Sequence, residues 1–253
     1  MTQQPTPAEL AAAELKAVAE STERLLRTVA DLTADQIAEP SGLPGWTRGH
    51  VLAHIARNAD SLVNLLETAR TGVPVPQYAS EAAREEGIQQ GAPRPPAEQL
   101  ADLTASAERF AAAAAALPDE AWSAELTHRH GYTFPAHEVP GKRLGELEYH
   151  HVDLAVGYTA AHWPEFFATE QFAYLAERFA GQEGLPAVEL VADDTEHRAV
   201  IGAGPEPLRV EGPLRALAAW LSGRSDGDGL QVHTPAGHLA DPRTALPVLP
   251  PLG

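Results

Sequence analysis

Hydrophobic residues recur at helical spacing through most of the first 160 residues. In the first such stretch, Leu25 and Val29 lie on one predicted helix face with apolar positions one and two turns earlier. The pattern predicts long helices over residues 7–32, 47–71, 97–117 and 142–158. Polar segments rich in proline and glycine separate them. Four long helices in one stretch favour a four-helix bundle.

The pattern changes after Trp163, where short apolar runs alternate with turn residues. These runs predict strands at residues 188–192, 198–201, 208–211 and 230–233, with helices at 164–181 and 213–222. The fold class is therefore predicted as α+β, with an N-terminal helix bundle over residues 1–162 and a smaller C-terminal α+β domain over residues 163–253.

Composition excludes several classes of function. The 253-residue chain carries a formal net charge of −17, which disfavours binding to nucleic acid. It contains no cysteine, so a thiol used in its chemistry must come from another molecule. Neither a signal peptide nor an apolar run of about 20 residues is present. We therefore expect a cytoplasmic protein without a membrane partner.

The fourth predicted helix carries a polar stripe with metal-binding potential. Glu146 and His150 stand four residues apart, so that both side chains leave the same helix face, about 40° apart around the axis. Arg143 and Asp153 fall within about 60° of His150. Apolar residues flank the stripe on both sides, which is unusual for a solvated face and typical of a cleft. Glu148 points away from it and is predicted to be solvated or locally hydrogen-bonded.

The helix over residues 47–71 offers a third ligand. His54 lies at the edge of its apolar sector, and Asn58 is turned slightly further in. The pattern alone leaves alternatives open, because a histidine beside an apolar face is usually a hydrogen-bonded core residue. The pair of Glu146 and His150 is, by the same reasoning, often a surface pair.

Two segments, residues 46–60 and 146–154, together resemble the mycothiol-dependent maleylpyruvate isomerase family of DinB-like metal-binding helix bundles. The resemblance extends through most of the chain and includes residues 78–84, 153–158 and 219–224. It departs at Gly145, where many relatives carry arginine next to the metal-binding glutamate.

The resemblance implies a divalent metal, expected to be zinc, bound by His54, Glu146 and His150. It implies that Arg224 is catalytic. The predicted substrate- or thiol-binding residues are Arg84, Asn58 and Arg143, although Arg84 is also open to interpretation as a partner in a surface salt bridge.

The implied activity is a mycothiol-dependent cis–trans isomerisation of maleylpyruvate, or a similar unsaturated dicarboxylate, to the fumaryl isomer. A metal-bound thiolate would add to the double bond, the bond would rotate, and the thiol would be eliminated. One alternative is a mycothiol S-transferase acting on another electrophile. A second is a non-catalytic metal-binding or regulatory bundle. The expected partners are therefore a small thiol and a small dicarboxylate.

Overall fold

The computed structural model describes residues 4–234 and 236–251. The chain divides into two compact units, the first ending at Tyr158 and the second beginning at Thr159. The predicted boundary, between residues 162 and 163, lies a few residues further along the chain.

The first unit is a helix bundle, as predicted. Four long helices form a closed ring of contacts, in which α1 and α3 each pack against both α5 and α6. Its helices are α1 (Pro7–Ala30), α2 (Ala34–Ala38), α3 (Arg48–Thr71), α4 (Glu81–Gly91), α5 (Pro96–Ala115) and α6 (Val139–Asp153).

Helix α3 is the central element, and its ends follow from local sequence. Thr47 caps its N-terminus: the hydroxyl accepts from the His50 amide, and the His50 ring returns a contact to the Thr47 backbone. Gly72 ends the helix in the left-handed conformation, with φ of 69°. Between them, residues 51–56 are all buried, because α4, α5 and α6 pack around this helix.

Helix α6 ends at Asp153, so the prediction that it continues to residue 158 is wrong. Ala155 adopts a positive φ of 53°, which a continuing helix does not permit. The Nε atom of Arg48 donates to the carbonyl oxygen of Leu154 at 2.7 Å, which satisfies a backbone acceptor at the helix end. The chain can then turn back towards the bundle.

A buried polar cluster lies between α6 and α1. Glu148 is 1% exposed and accepts hydrogen bonds from Arg24 at 2.9 Å and from the Tyr158 hydroxyl at 2.5 Å. His151 is also buried, with its Nε2 atom 2.8 Å from the Thr28 hydroxyl. Glu148 was predicted to be solvated or locally hydrogen-bonded. Solvation is wrong, because Arg24 of α1 and Tyr158 both bind the carboxylate in a buried position.

Between α5 and α6 the chain forms a small antiparallel hairpin, β1 (Glu125–Thr127) with β2 (Thr133–Pro135). Its inward-facing residues, Leu126 and Phe134, are paired and buried. In each three-residue strand only the middle residue is buried, as expected where side chains alternate between the two faces of a strand.

The second unit contains a five-stranded mixed sheet, which confirms the predicted sheet-containing C-terminal domain. Strand order is β4-β3-β5-β6-β7; β3 and β5 are parallel and the other pairs antiparallel. Its elements are α7 (Glu165–Phe179), β3 (Pro186–Ala192), β4 (Arg198–Ile201), β5 (Ala203–Gly212), α8 (Leu214–Leu221), β6 (Gln231–His233), β7 (Leu239–Ala240) and α9 (Pro242–Ala245). Within the described residues, no helix is long and apolar enough to cross a membrane.

Candidate metal centre

Three side chains from α3 and α6 bring their donor atoms together. Nε2 of His54 lies 2.9 Å from Oε2 of Glu146 and 3.0 Å from Nε2 of His150. Nε2 of His150 lies 3.3 Å from the same carboxylate oxygen. The structure thus brings together the three residues predicted as metal ligands.

The spacing of these donors fits a divalent metal. Two ligands bound tetrahedrally to zinc at 2.0–2.1 Å are about 3.3 Å apart, close to the separations between the three donors. Two imidazoles and one carboxylate suit zinc and other transition ions, and three protein ligands leave a coordination position for a thiol or water.

Asp153 orients one of the ligands. Its Oδ2 atom lies 2.8 Å from Nδ1 of His150, on the ring edge opposite the donor nitrogen. A carboxylate at Nδ1 holds the proton there and leaves the Nε2 lone pair directed at the site. The sequence pattern placed Asp153 on the polar stripe but assigned it no role.

The surroundings of the site keep the Glu146 carboxylate ionised and shift the pKa values of the two histidines in opposite directions. Burial opposes ionisation of Glu146, but hydrogen bonds from His150 and His54 outweigh it and hold its pKa well below the ordinary value. Burial lowers the pKa of His54 and keeps that ring neutral. Burial acts in the same direction on His150, but hydrogen bonds to Asp153 and Glu146 outweigh it and raise its pKa.

Close packing of α4 on α3 places Arg84 at the site. A Cβ atom added at Gly49 would lie 2.1 Å from the carbonyl oxygen of Ala92, so only glycine permits this approach. Nη2 of Arg84 lies 3.4 Å from Nδ1 of His54. Arg84 forms no ion pair in the described part of the chain, so its interpretation as a partner in a surface salt bridge is wrong.

Two aromatic residues complete the surroundings of His54. Trp46 makes an edge contact with its ring at a centroid distance of 5.5 Å. The Tyr78 ring lies beneath the guanidinium of Arg84 at 5.9 Å, and burial raises the pKa of its hydroxyl. No pattern in the sequence assigned these residues a role, although both stand in segments that carry the family resemblance.

Three further residues were predicted to act at the site: Asn58, Arg143 and Arg224. Arg143 and Asn58 are buried and hydrogen-bonded to each other at 2.9 Å. Arg224 belongs to the second unit, directly after α8 and Gly223, and its Nη1 atom donates to the carbonyl oxygen of Ser222 at 2.8 Å. A Cβ atom at Gly145 would meet nothing within 4 Å, so packing does not require glycine there.

Comparison with known proteins identifies the family. The model of the mycothiol maleylpyruvate isomerase N-terminal domain matches residues 18–155, more than half of the chain. The chain belongs to the mycothiol-dependent maleylpyruvate isomerase family. The MDMPI C-terminal domain model matches residues 162–241. The family assignment based on the sequence is thereby confirmed.

Solved structures agree with this family assignment. A crystal structure of the mycothiol-dependent maleylpyruvate isomerase is 28% identical in sequence and superposes with a TM-score of 0.84. A mutant of that enzyme superposes with a TM-score of 0.83 at the same identity. Each comparison covers 94% of this chain and 98% of the other. No curated protein sequence matched the chain.

The raised pKa of His150 predicts how metal binding depends on pH. Because a metal must displace the proton from this ring, we expect affinity to rise with pH, about tenfold per unit below the His150 pKa. His54, being neutral, contributes no proton.

Competition with a chromophoric chelator across a pH series measures the slope. Asp153→Asn removes one of the two carboxylates that raise the pKa of His150 and should move the rise in affinity to lower pH. An affinity that is independent of pH would contradict the assignment.

Proposed function

We propose that the chain catalyses mycothiol-dependent cis–trans isomerisation of maleylpyruvate, or a similar unsaturated dicarboxylate, to the fumaryl isomer. The observation that carries the proposal is the convergence of the donor atoms of His54, Glu146 and His150 in a member of this family. The solved relative at 28% identity supports the same activity. A cytoplasmic location remains part of the proposal.

In this proposal the protein first binds the metal and the thiol. His54, Glu146 and His150 would bind the metal, and His150 is kept in the binding tautomer by Asp153. A metal held by these three residues would lower the pKa of a bound mycothiol thiol, and the thiolate would supply a nucleophile whose reversible addition would let the activated double bond rotate. The absence of cysteine leaves the cofactor as the source of that sulfur.

Cationic side chains around the site suit a dicarboxylate. Arg84 is adjacent to His54 and is not engaged by a carboxylate in the described part of the chain, so its guanidinium can pair with a substrate carboxylate. Lys142 of α6 adds a positive charge near the β1–β2 hairpin, over the Phe134 ring at 4.2 Å. Arg129 of the same region is paired with Glu81 at 2.8 Å. The pKa of the nearby His128 is lowered to about 4, first by burial and then by the positive charges of its neighbours, so this ring is neutral near pH 7. Positive charge beside the site would attract a dianionic substrate despite the net negative charge of the whole chain.

For Arg224 we propose a direct role: pairing with a substrate carboxylate or with the negative charge that develops on the substrate. Asn58 and Arg143 are different, because their mutual hydrogen bond and burial leave them poorly placed to contact a substrate. Their proposed role therefore changes from binding to positioning.

Replacing Arg224 by lysine tests the need for a planar guanidinium. We expect kcat/KM to fall about 10- to 100-fold, because lysine retains the charge but loses the two parallel hydrogen bonds to a carboxylate. Metal content should be unchanged. Arg178→Lys, an exposed arginine at the end of α7, is the matched control and should retain full activity. Full activity in Arg224→Lys would contradict a bidentate role.

The experiment that tests the function as a whole is turnover of maleylpyruvate with and without mycothiol, with analysis of both the organic acid and the thiol. Formation of the fumaryl isomer with recovery of the thiol supports the isomerase. Consumption of the thiol into a conjugate would instead indicate an S-transferase.

A further inference from the structure

A buried arginine connects the two helices that carry the metal ligands. Arg143 lies one turn before Glu146 on α6 and is 1% exposed. Its Nη1 atom donates to the carbonyl oxygen of Ile55 at 2.8 Å and to Oδ1 of Asn58 at 2.9 Å. Both acceptors belong to α3, so one guanidinium nitrogen joins α6 to α3.

These acceptors lie beside the third ligand. Ile55 follows His54 directly, and Asn58 stands one helical turn beyond it. The guanidinium therefore connects the helices at the level of the donor atoms. We propose that Arg143 and Asn58 are positioning residues that hold α3 and α6 at the separation required for His54, Glu146 and His150 to bind one metal ion.

The cost of burying this charge supports a specific role. Burial lowers the pKa of Arg143 to about 10, so the group remains charged near neutral pH. Among the described residues no carboxylate forms an ion pair with it, and the electrostatic support it receives comes first from Glu146, itself a proposed metal ligand. A well-packed apolar residue would often stabilise such a position more. The two directed hydrogen bonds are what an apolar residue would not provide.

Metal binding depends strongly on this separation. The three donors are 2.9–3.3 Å apart and come from two different helices. A displacement of about 0.5 Å between the helices is enough to spoil a coordination site. A connection between α3 and α6 next to the ligands thus controls metal affinity more directly than it controls global stability.

Four variants test the proposal by metal titration of the full-length protein without substrate. Arg143→Lys retains the charge but loses the planar fork, and we expect metal affinity to fall about 10- to 100-fold. Arg143→Gln removes the charge as well and should show a similar loss. If Arg143 acted only through its charge, removing a cation near the site would instead tighten metal binding.

The Asn58 variants test the other side of the connection. Asn58→Leu removes the acceptor and should weaken metal binding about 10-fold or more. Asn58→Asp retains an acceptor for the guanidinium and should bind metal at least as tightly as the wild type. If the Arg143 variants fail to fold, the comparison of Asn58→Leu with Asn58→Asp tests the proposal by itself.

Arg57→Lys is the matched control. Arg57 is also on α3, but its Nη2 atom donates to Asp102 of α5 at 2.7 Å, away from α6. Its loss should lower the free energy of unfolding of the metal-free protein while metal affinity stays within about twofold of the wild type. Urea unfolding of every metal-free variant separates the two effects.

Three results would overturn the proposal. The first is wild-type affinity in Arg143→Lys together with Asn58→Leu. The second is an equal loss of affinity in Arg57→Lys or Asn58→Asp. The third is a wild-type protein that binds no metal, which would also remove the proposed metal site on which this inference rests. Because no substrate is used, failure of the isomerase proposal leaves the outcome of this test unaffected and is detected separately by turnover.

Discussion

Replacing His54 by alanine is expected to remove bound metal and to lower isomerase activity about 1,000-fold or more. His54 is the only ligand from α3, so its loss leaves two neighbouring side chains of one helix, which cannot enclose an ion. Metal analysis of the purified protein and initial rates with saturating mycothiol measure the two effects. Added metal should restore the chelated wild type but not the variant.

His50→Ala is the matched control for this experiment. His50 lies one turn earlier on α3, where its ring contacts the Thr47 backbone and reaches Gln89 at 3.2 Å. Its removal takes away part of the N-terminal cap of α3, so the free energy of unfolding should fall by about 1 kcal/mol while metal content stays unchanged. Equal substoichiometric metal in the wild type and in His54→Ala would contradict the proposed ligand set.

The polar stripe on α6 shows how far helical periodicity can locate a site. Spacing alone placed Glu146 and His150 on one face and Glu148 on another, and the structure agrees. What periodicity cannot show is the environment of each face. Glu148 was predicted to be solvated or locally hydrogen-bonded, but α1 covers that face with Arg24 and Ser21, more than 120 residues away in sequence.

The end of α6 illustrates a second limit. Residues 154–158 continue an acceptable helical pattern, yet the helix ends because Arg48 takes the Leu154 carbonyl and Ala155 enters the left-handed region. Neither event has a local signal, since no glycine stands at residue 155 and Arg48 is over 100 residues away. Tertiary contacts override helix propensity at this point.

The third ligand required information beyond spacing. The pattern placed His54 only at the edge of an apolar sector, which is compatible with an ordinary core histidine. The family resemblance selected it, and packing of α3 against α6 brings its Nε2 atom to the Glu146 carboxylate. Spacing offered no role for Tyr78 and Trp46, and their position beside the site follows only from the fold.

Omitting mycothiol is expected to reduce turnover of maleylpyruvate to the uncatalysed rate, even with the metal bound. The reason is that the proposed nucleophile is supplied entirely by the cofactor. Without cysteine, the protein carries no thiol of its own that could substitute or contaminate the assay. The same property makes thiol titration after the reaction a direct measure of cofactor consumption.

The ratio of product to thiol then separates the proposed activity from its alternatives. An isomerase regenerates the thiol, so a trace of mycothiol should support many turnovers and be recovered in full. An S-transferase stops when the thiol is spent, at one conjugate per thiol. A metal-binding regulatory bundle would show no turnover under any of these conditions. Isomerisation that proceeds equally well without thiol would exclude addition and elimination of a thiol as the route, because the chain contains no cysteine that could replace mycothiol.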